Sequence, residues 1–179
     1  MKHRIVLAAG IILCMAAGAF AQTPAKGLQG DLVGQLKDAG AKLVALAETM
    51  TQEQYAWRPA EGVRSVGEVY MHAAGANVLF LGIIGVESPL KIDQAMETSV
   101  TDKAQIIEML KKSFKFAEES VAKVKDADLG KAVKVFGRDG TYRSVLVLIA
   151  THAHEHVGQS VAYARMNKVA PPWSKGGGM

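Results

Sequence analysis

Residues 151–159 have the sequence Thr151-His152-Ala153-His154-Glu155-His156-Val157-Gly158-Gln159, which contains three of the chain's five histidines. On a helix, His152 and His156 lie one turn apart on the same face, while His154 lies about 200° from His152 and faces elsewhere. The two histidines belong to a series spaced alternately by four and three residues: Val145, Ile149, His152, His156, Gln159, Tyr163 and Met166. This period predicts an amphipathic helix with both imidazoles on its core-facing side.

Two inward-facing imidazoles on one helix have two interpretations. A buried imidazole needs a partner for each ring nitrogen, and neighbouring imidazoles satisfy each other only with a proton, a water molecule or a cation between them. His152 and His156 are therefore either a pair of metal ligands or hydrogen-bonded core residues. A metal site would require further ligands from other parts of the chain.

Another histidine faces the core of a second predicted helix. Ser65 and Glu68 fit a capping box at its start, in which each residue's side chain accepts from the other's backbone amide. The predicted core-facing series on this helix is Val69, His72, Ala76, Leu79 and Ile83, with Tyr70 and Asn77 outside it. Glu68 lies one turn from His72, so it has a second interpretation as a catalytic base or as an acceptor for that imidazole.

Two further helices show the same period, one within residues 28–50 and one that begins at Thr101-Asp102 and continues to Val124. The last helix, capped by Thr141 or Ser144, should end near Asn167, ahead of two prolines. Four amphipathic helices favour an all-α fold, namely a four-helix bundle with one long crossover connection.

The connections between the helices are also predictable. Residues 55–64 contain proline and glycine and no period, so we expect an ordered loop in which Trp57 closes one end of the bundle. Residues 85–100 are long enough for the crossover along the outside. Residues 126–144 predict a short hairpin.

The chain divides into three parts. Residues 1–21 have the form of a secretory signal peptide, with Lys2 and Arg4, an apolar run to Phe20 and a small residue at Ala21. Residues 22–170 would form the bundle, and residues 171–179 a flexible, glycine-rich tail. We therefore expect an exported protein, periplasmic or secreted, whose mature chain contains no cysteine because Cys14 lies within the signal peptide.

Composition excludes two classes of partner. The formal net charge is +4, and removal of Lys2 and Arg4 with the signal peptide leaves +2, without a dense basic stripe. This is not the charge pattern of a nucleic-acid-binding protein. The N-terminal apolar run is too short for a comfortable membrane span, so we expect no stable membrane anchor.

His72, His152 and His156 would all project into one bundle core, which predicts a divalent metal site. Three neutral imidazoles suit Zn or Ni, with Fe, Mn or Cu as alternatives, and leave positions open for water or substrate. Candidates for the catalytic acid or base are weak, because Glu68 already has a capping role and Gln159 does not titrate.

Several motifs together resemble the DinB family. They are Trp57-Arg58-Pro59, the stretch from Gly62 to Glu68 leading to His72, and His152 with His156-Val157-Gly158-Gln159 ahead of Tyr163 and Arg165. The resemblance implies a four-helix bundle, often dimeric, in which His72, His152 and His156 bind a divalent metal such as Zn or Ni. Val157 departs from the family pattern, in which arginine commonly follows the histidine.

Two classes of function follow. The first is a metal-dependent hydrolase or transferase acting on a small-molecule substrate. Better-understood relatives of the family include thiol transferases and a maleylpyruvate isomerase that use cytoplasmic low-molecular-weight thiols, a co-substrate that an exported member would lack. The alternative is a non-catalytic bundle that binds a metal or a small molecule.

Gln159 also has two interpretations. Its side chain either makes a structural hydrogen bond, to a neighbouring helix or across a dimer interface, or supports the metal ligands.

Overall fold

The computed structural model describes residues 26–174, so the predicted signal peptide and the last five residues lie outside the described residues. Four long helices form the bundle: α1 (Gly27–Thr49), α2 (Val66–Ile83), α4 (Lys103–Val121) and α5 (Tyr142–Met166). A short helix, α3 (Met96–Ser99), lies in the connection between α2 and α4, and a hairpin of β1 (Ala132–Val135) and β2 (Arg138–Thr141) precedes α5. The predicted all-α four-helix bundle with a long crossover connection is confirmed.

Each bundle helix packs mainly against two others. Helix α1 contacts α4 and α5, and α2 contacts the same two helices from the other side of the bundle. Helices α1 and α2, although consecutive in the chain, are therefore diagonal to each other, and α2 is a direct neighbour of α5. This arrangement brings residues of α2 and α5 to one shared site.

Local side-chain hydrogen bonds fix where the helices begin. Ser65 and Glu68 form the predicted capping box at α2, and Asp102 accepts from the Gln105 amide at α4. At α5, the alternative resolves in favour of Thr141 as the cap, with Ser144 as its capping-box partner. These side chains satisfy amide donors that a helix terminus otherwise leaves without partners.

The predicted core-facing series of α2 is wrong at several positions. Leu79 is 55% exposed, whereas Tyr70 and Asn77, which were placed outside the series, are buried. The reason is that α2 packs against α4, α5 and α3, so most of its circumference is covered and one apolar stripe cannot describe it. On α5 the series holds to Tyr163 but fails at Met166, which is exposed in the last turn of the helix.

The non-helical segments are more ordered than the sequence indicates. Residues 85–100 contain α3, and Glu53–Ala56 form a 3-10 turn ahead of Trp57. The expected tail begins with a buried Pro171 and a 3-10 turn at Pro172–Ser174 that contacts α1. The 126–144 segment does contain the predicted hairpin.

Two glycines within α1 make a matched pair of stability predictions. A Cβ atom at Gly40 would lie 2.8 Å from ring atoms of the buried Phe114, whereas a Cβ atom at Gly34 would meet nothing within 4 Å. We expect Gly40→Ala to lower the free energy of unfolding by about 1–3 kcal/mol through overpacking. Gly34→Ala should raise it by up to about 1 kcal/mol because alanine favours the helix.

Urea denaturation of both variants would measure these changes. Gly34→Ala is the control for the effect of alanine on helix propensity at an open position of the same helix. A stabilising Gly40→Ala substitution would contradict the close α1–α4 packing.

Candidate metal centre

Three histidines converge between α2 and α5. One ring nitrogen each from His72, His152 and His156 lies within 4.8 Å of the other two. The ring centroid of His72 is 5.2 Å from that of His152 and 4.9 Å from that of His156, and the two α5 rings are 4.4 Å apart. His154 does not join this group, as its position on the helix predicts.

The His72 ring is oriented by a carboxylate from the crossover connection. Its Nδ1 atom lies 2.9 Å from Oε2 of Glu97, a residue of α3. Arg64 binds the other oxygen of the same carboxylate, with 2.5 Å between Nε and Oε1. Burial raises the pKa of Glu97, whereas the contacts with Arg64 and His72 lower it. The combined effect is a pKa below the ordinary value of a glutamate. An ionised Glu97 accepts a hydrogen bond from Nδ1–H of His72, and in that tautomer the Nε2 atom of the ring carries a free lone pair.

Gln159 holds the ring of His156 in the same way. Its Oε1 atom lies 2.8 Å from Nδ1 of His156, and its Nε2 donates to the Tyr163 hydroxyl at 3.2 Å. The Tyr163 ring in turn packs edge-on against Trp57, with 5.4 Å between centroids. Of the two roles open to Gln159, the structure shows a hydrogen bond to a histidine of the cluster.

The two α5 histidines face each other through their Nε2 atoms, which are 3.1 Å apart. Burial, together with the proximity of His156 and His72, lowers the pKa of His152 to about 4. Burial also lowers the pKa of His156, against the opposing effect of the Gln159 hydrogen bond. Both rings are therefore neutral at pH 7, the form in which imidazole binds metals.

The carboxylate of Glu68 bonds residues ahead of α2 rather than His72. Its carboxylate accepts from the Ser65 amide at 2.8 Å and from Arg58 at 2.9 Å, so both oxygens serve the start of α2. The acceptor for His72 is Glu97 instead. Sequence reasoning missed Glu97 because it lies in a segment without a period, and the only available signal was an acidic residue within a long crossover.

Comparison with known proteins identifies the family. The sequence matches the DinB superfamily over residues 35–160. The chain belongs to the DinB superfamily. Among curated proteins no relative matches. The DinB match begins within α1 and ends within α5, and it includes all three histidines.

Solved DinB structures show the same fold. A DinB-like protein from Bacillus cereus superposes with a TM-score of 0.71 at 20% identity, covering 81% of this chain and 95% of its own. YfiT from Bacillus subtilis superposes with a TM-score of 0.66 at 16% identity, covering 83% of this chain and 93% of its own. YfiT is described as a probable metal-dependent hydrolase with an unusual four-helix bundle topology. At these identities the likeness establishes the fold alone.

The donor set of this DinB protein fits a divalent ion. The Nδ1 atoms of His72 and His156 are engaged by Glu97 and Gln159, so their Nε2 atoms are available as ligands. His152 presents its Nε2 atom to that of His156. Three neutral nitrogen donors suit a divalent transition-metal ion. Val157, at the position where the family commonly has arginine, packs half-buried against the core.

Proposed function

We propose that this protein is a metal-dependent hydrolase or transferase that binds one divalent ion through His72, His152 and His156. The observation that carries the proposal is the convergence of three imidazole nitrogens within 4.8 Å. Two of these rings bond a supporting side chain through Nδ1, and each supporting side chain is itself held by another residue. Glu97 supports His72 and is held by Arg64. Gln159 supports His156 and is held by Tyr163. Structural histidines would not require this arrangement, whereas metal ligands are typically supported in this way.

The residues around the cluster define what the site can do. A divalent ion held there would supply Lewis-acid chemistry, lowering the pKa of a water molecule or polarising a substrate oxygen. Glu97 and Gln159 would keep the ligand rings in one tautomer and one orientation. Three protein donors leave room for a small-molecule substrate, and the description of YfiT as a probable metal-dependent hydrolase supports hydrolysis.

We also propose that the protein acts outside the cytoplasm. The support is the charged, apolar and small-residue sequence of residues 1–21. Mass spectrometry of protein recovered after export should give an N-terminus at Gln22, and a retained Met1 would contradict export with cleavage. In that compartment, hydrolysis does not depend on a cytoplasmic thiol.

Metal analysis followed by an activity screen tests the proposed function. The mature chain would be purified without a histidine tag, and its metal content would be measured after exhaustive desalting. The screen would then compare ester, amide and thiol-conjugate substrates, before and after chelation and reconstitution. Stoichiometric metal with metal-dependent turnover supports the proposal, and the absence of bound metal under all reconstitution conditions would refute it.

A second function, binding without catalysis, is favoured by one observation. The carboxylate that caps α2 and the carboxylate that contacts His72 are both engaged in ion pairs, Glu68 with Arg58 and Glu97 with Arg64. Neither is free to act as a general base, and Gln159 does not titrate. Bound metal without turnover of any substrate class would support this alternative.

The supporting side chains give a further prediction. We expect Glu97→Gln and Gln159→Leu each to weaken metal binding by about 10–100-fold, because outer-sphere partners of ligand histidines typically have effects of this size. Glu68→Gln is the matched control, since glutamine also fits a capping box and the Glu68 carboxylate accepts from Ser65 and Arg58 rather than from His72.

Competition with a chromophoric chelator would measure the three affinities. For Gln159→Leu, unchanged metal affinity together with a changed melting temperature or dimerisation would show that the hydrogen bond to His156 is only structural.

A further inference from the structure

Phe136 lies at the tip of the β1–β2 hairpin, where both its backbone conformation and its exposure to solvent are unfavourable for an apolar residue. Val135 pairs with Arg138, so Phe136 and Gly137 alone form the turn, with φ angles of 49° and 81°. A two-residue turn with both φ angles positive favours Asn-Gly, because an apolar residue is strained in the left-handed region. The Phe136 side chain is also 68% exposed. Strained backbone conformations of this kind concentrate at functional sites.

Aromatic contacts connect this exposed ring with the histidine cluster. The Phe136 ring packs edge-on against Phe80 of α2, with 6.0 Å between centroids. Phe80, which is buried, packs edge-on against His152 with 5.1 Å between centroids. The hairpin itself contacts α2 and α5, the two helices that carry the histidines. Phe136 and Phe80 therefore form a continuous apolar contact from the protein surface to His152.

We propose that Phe136, together with Phe80, binds an aliphatic or aromatic chain of the substrate, whose polar group lies at the histidine cluster. This inference rests on the proposed metal site and adds a substrate class to it. Apolar surface that remains exposed beside a polar site gains free energy when a ligand covers it, and sites of this composition bind amphipathic small molecules. Since Phe136 is one ring further from the cluster than Phe80, the chain must contain several carbons to reach it.

A pair of hydroxamates with the same metal-binding group tests the substrate class. Acetohydroxamate has almost no chain, whereas octanohydroxamate has a chain long enough to pass Phe80. Calorimetry with the zinc-loaded protein should show that octanohydroxamate binds at least about tenfold more tightly than acetohydroxamate, because burying several methylene groups contributes this much.

Phe136→Asn should remove most of that preference without unfolding the protein. Asparagine suits the left-handed position, so the melting temperature should stay the same or rise. Zinc content and acetohydroxamate affinity should not change, because the Phe136 ring contacts Phe80, and it is Phe80 that contacts His152. Met166→Asn is the control: Met166 is 60% exposed, close to the value for Phe136, but it lies on α5 ten residues beyond His156.

The outcomes separate this inference from the proposed function. If the wild-type protein binds no metal, the proposed function fails and the substrate class fails with it. If it binds zinc but shows no preference for octanohydroxamate, binds neither hydroxamate, or keeps the preference in Phe136→Asn, the metal site stands and the role of Phe136 is refuted. Loss of the preference in Phe136→Asn but not in Met166→Asn establishes it.

Discussion

Alanine substitution of His72, His152 or His156 is expected to abolish stoichiometric metal binding, while His154→Ala leaves it intact. Each of the three contributes one nitrogen to a group that spans 4.8 Å, and three protein ligands leave no spare donor to replace a missing one. Removing an outer-sphere partner already weakens metal sites by about 10–100-fold, so the loss of a ligand should exceed that range. Metal content after desalting and equilibrium titration would measure it.

His154→Ala is a close control because it removes the same kind of side chain from α5, two residues from His152 and two from His156. It also changes the number of histidines by the same amount, so nonspecific metal uptake falls equally. If all four variants lose metal to the same extent, the assignment of His72, His152 and His156 is wrong. If only the His152 and His156 variants lose metal, His72 of α2 is not a ligand.

The features that sequence predicted well are those determined by near neighbours in the chain. The Ser65–Glu68 and Thr141–Ser144 capping boxes involve residues three apart, and the α5 series follows from helical geometry alone. The same geometry placed His152 and His156 on one face and His154 on another. Bringing His72 to them required only that α2 and α5 be neighbours, which a four-helix bundle readily allows.

The features that sequence missed depend on contacts between distant segments. Glu97 reaches His72 only because the crossover returns across the start of α2, and no local pattern encodes that return. Tyr70 and Asn77 were misplaced for a related reason, since an apolar series identifies one buried face and α2 is covered on several. The position of Gln159 left two alternative roles open, and its hydrogen bond to His156 depends on side-chain geometry that the spacing of residues does not specify.

Acidification should destabilise the metal-free protein between about pH 6.5 and pH 4. An unfolded histidine titrates near 6.5, whereas the pKa of His152 in the folded protein is about 4 and that of His156 is also lowered, both chiefly by burial. Within this window the unfolded state binds protons that the folded state does not, so the free energy of unfolding falls as the pH falls. His152 contributes at most about 1.4 kcal/mol per pH unit to this slope, and His156 acts in the same direction.

Urea denaturation of chelator-treated protein at several values between pH 7 and pH 5 would measure this dependence separately from the carboxylates, which titrate at lower pH. His152→Gln keeps a polar side chain but removes the titrating ring, so its stability should vary less steeply with pH than that of the wild-type protein. An equally steep dependence in this variant would mean that the His152 ring is protonated as easily in the folded protein as in water. The close approach of the His152 and His156 rings makes that result incompatible with two buried, neutral imidazoles, and therefore with a cluster preorganised to bind metal.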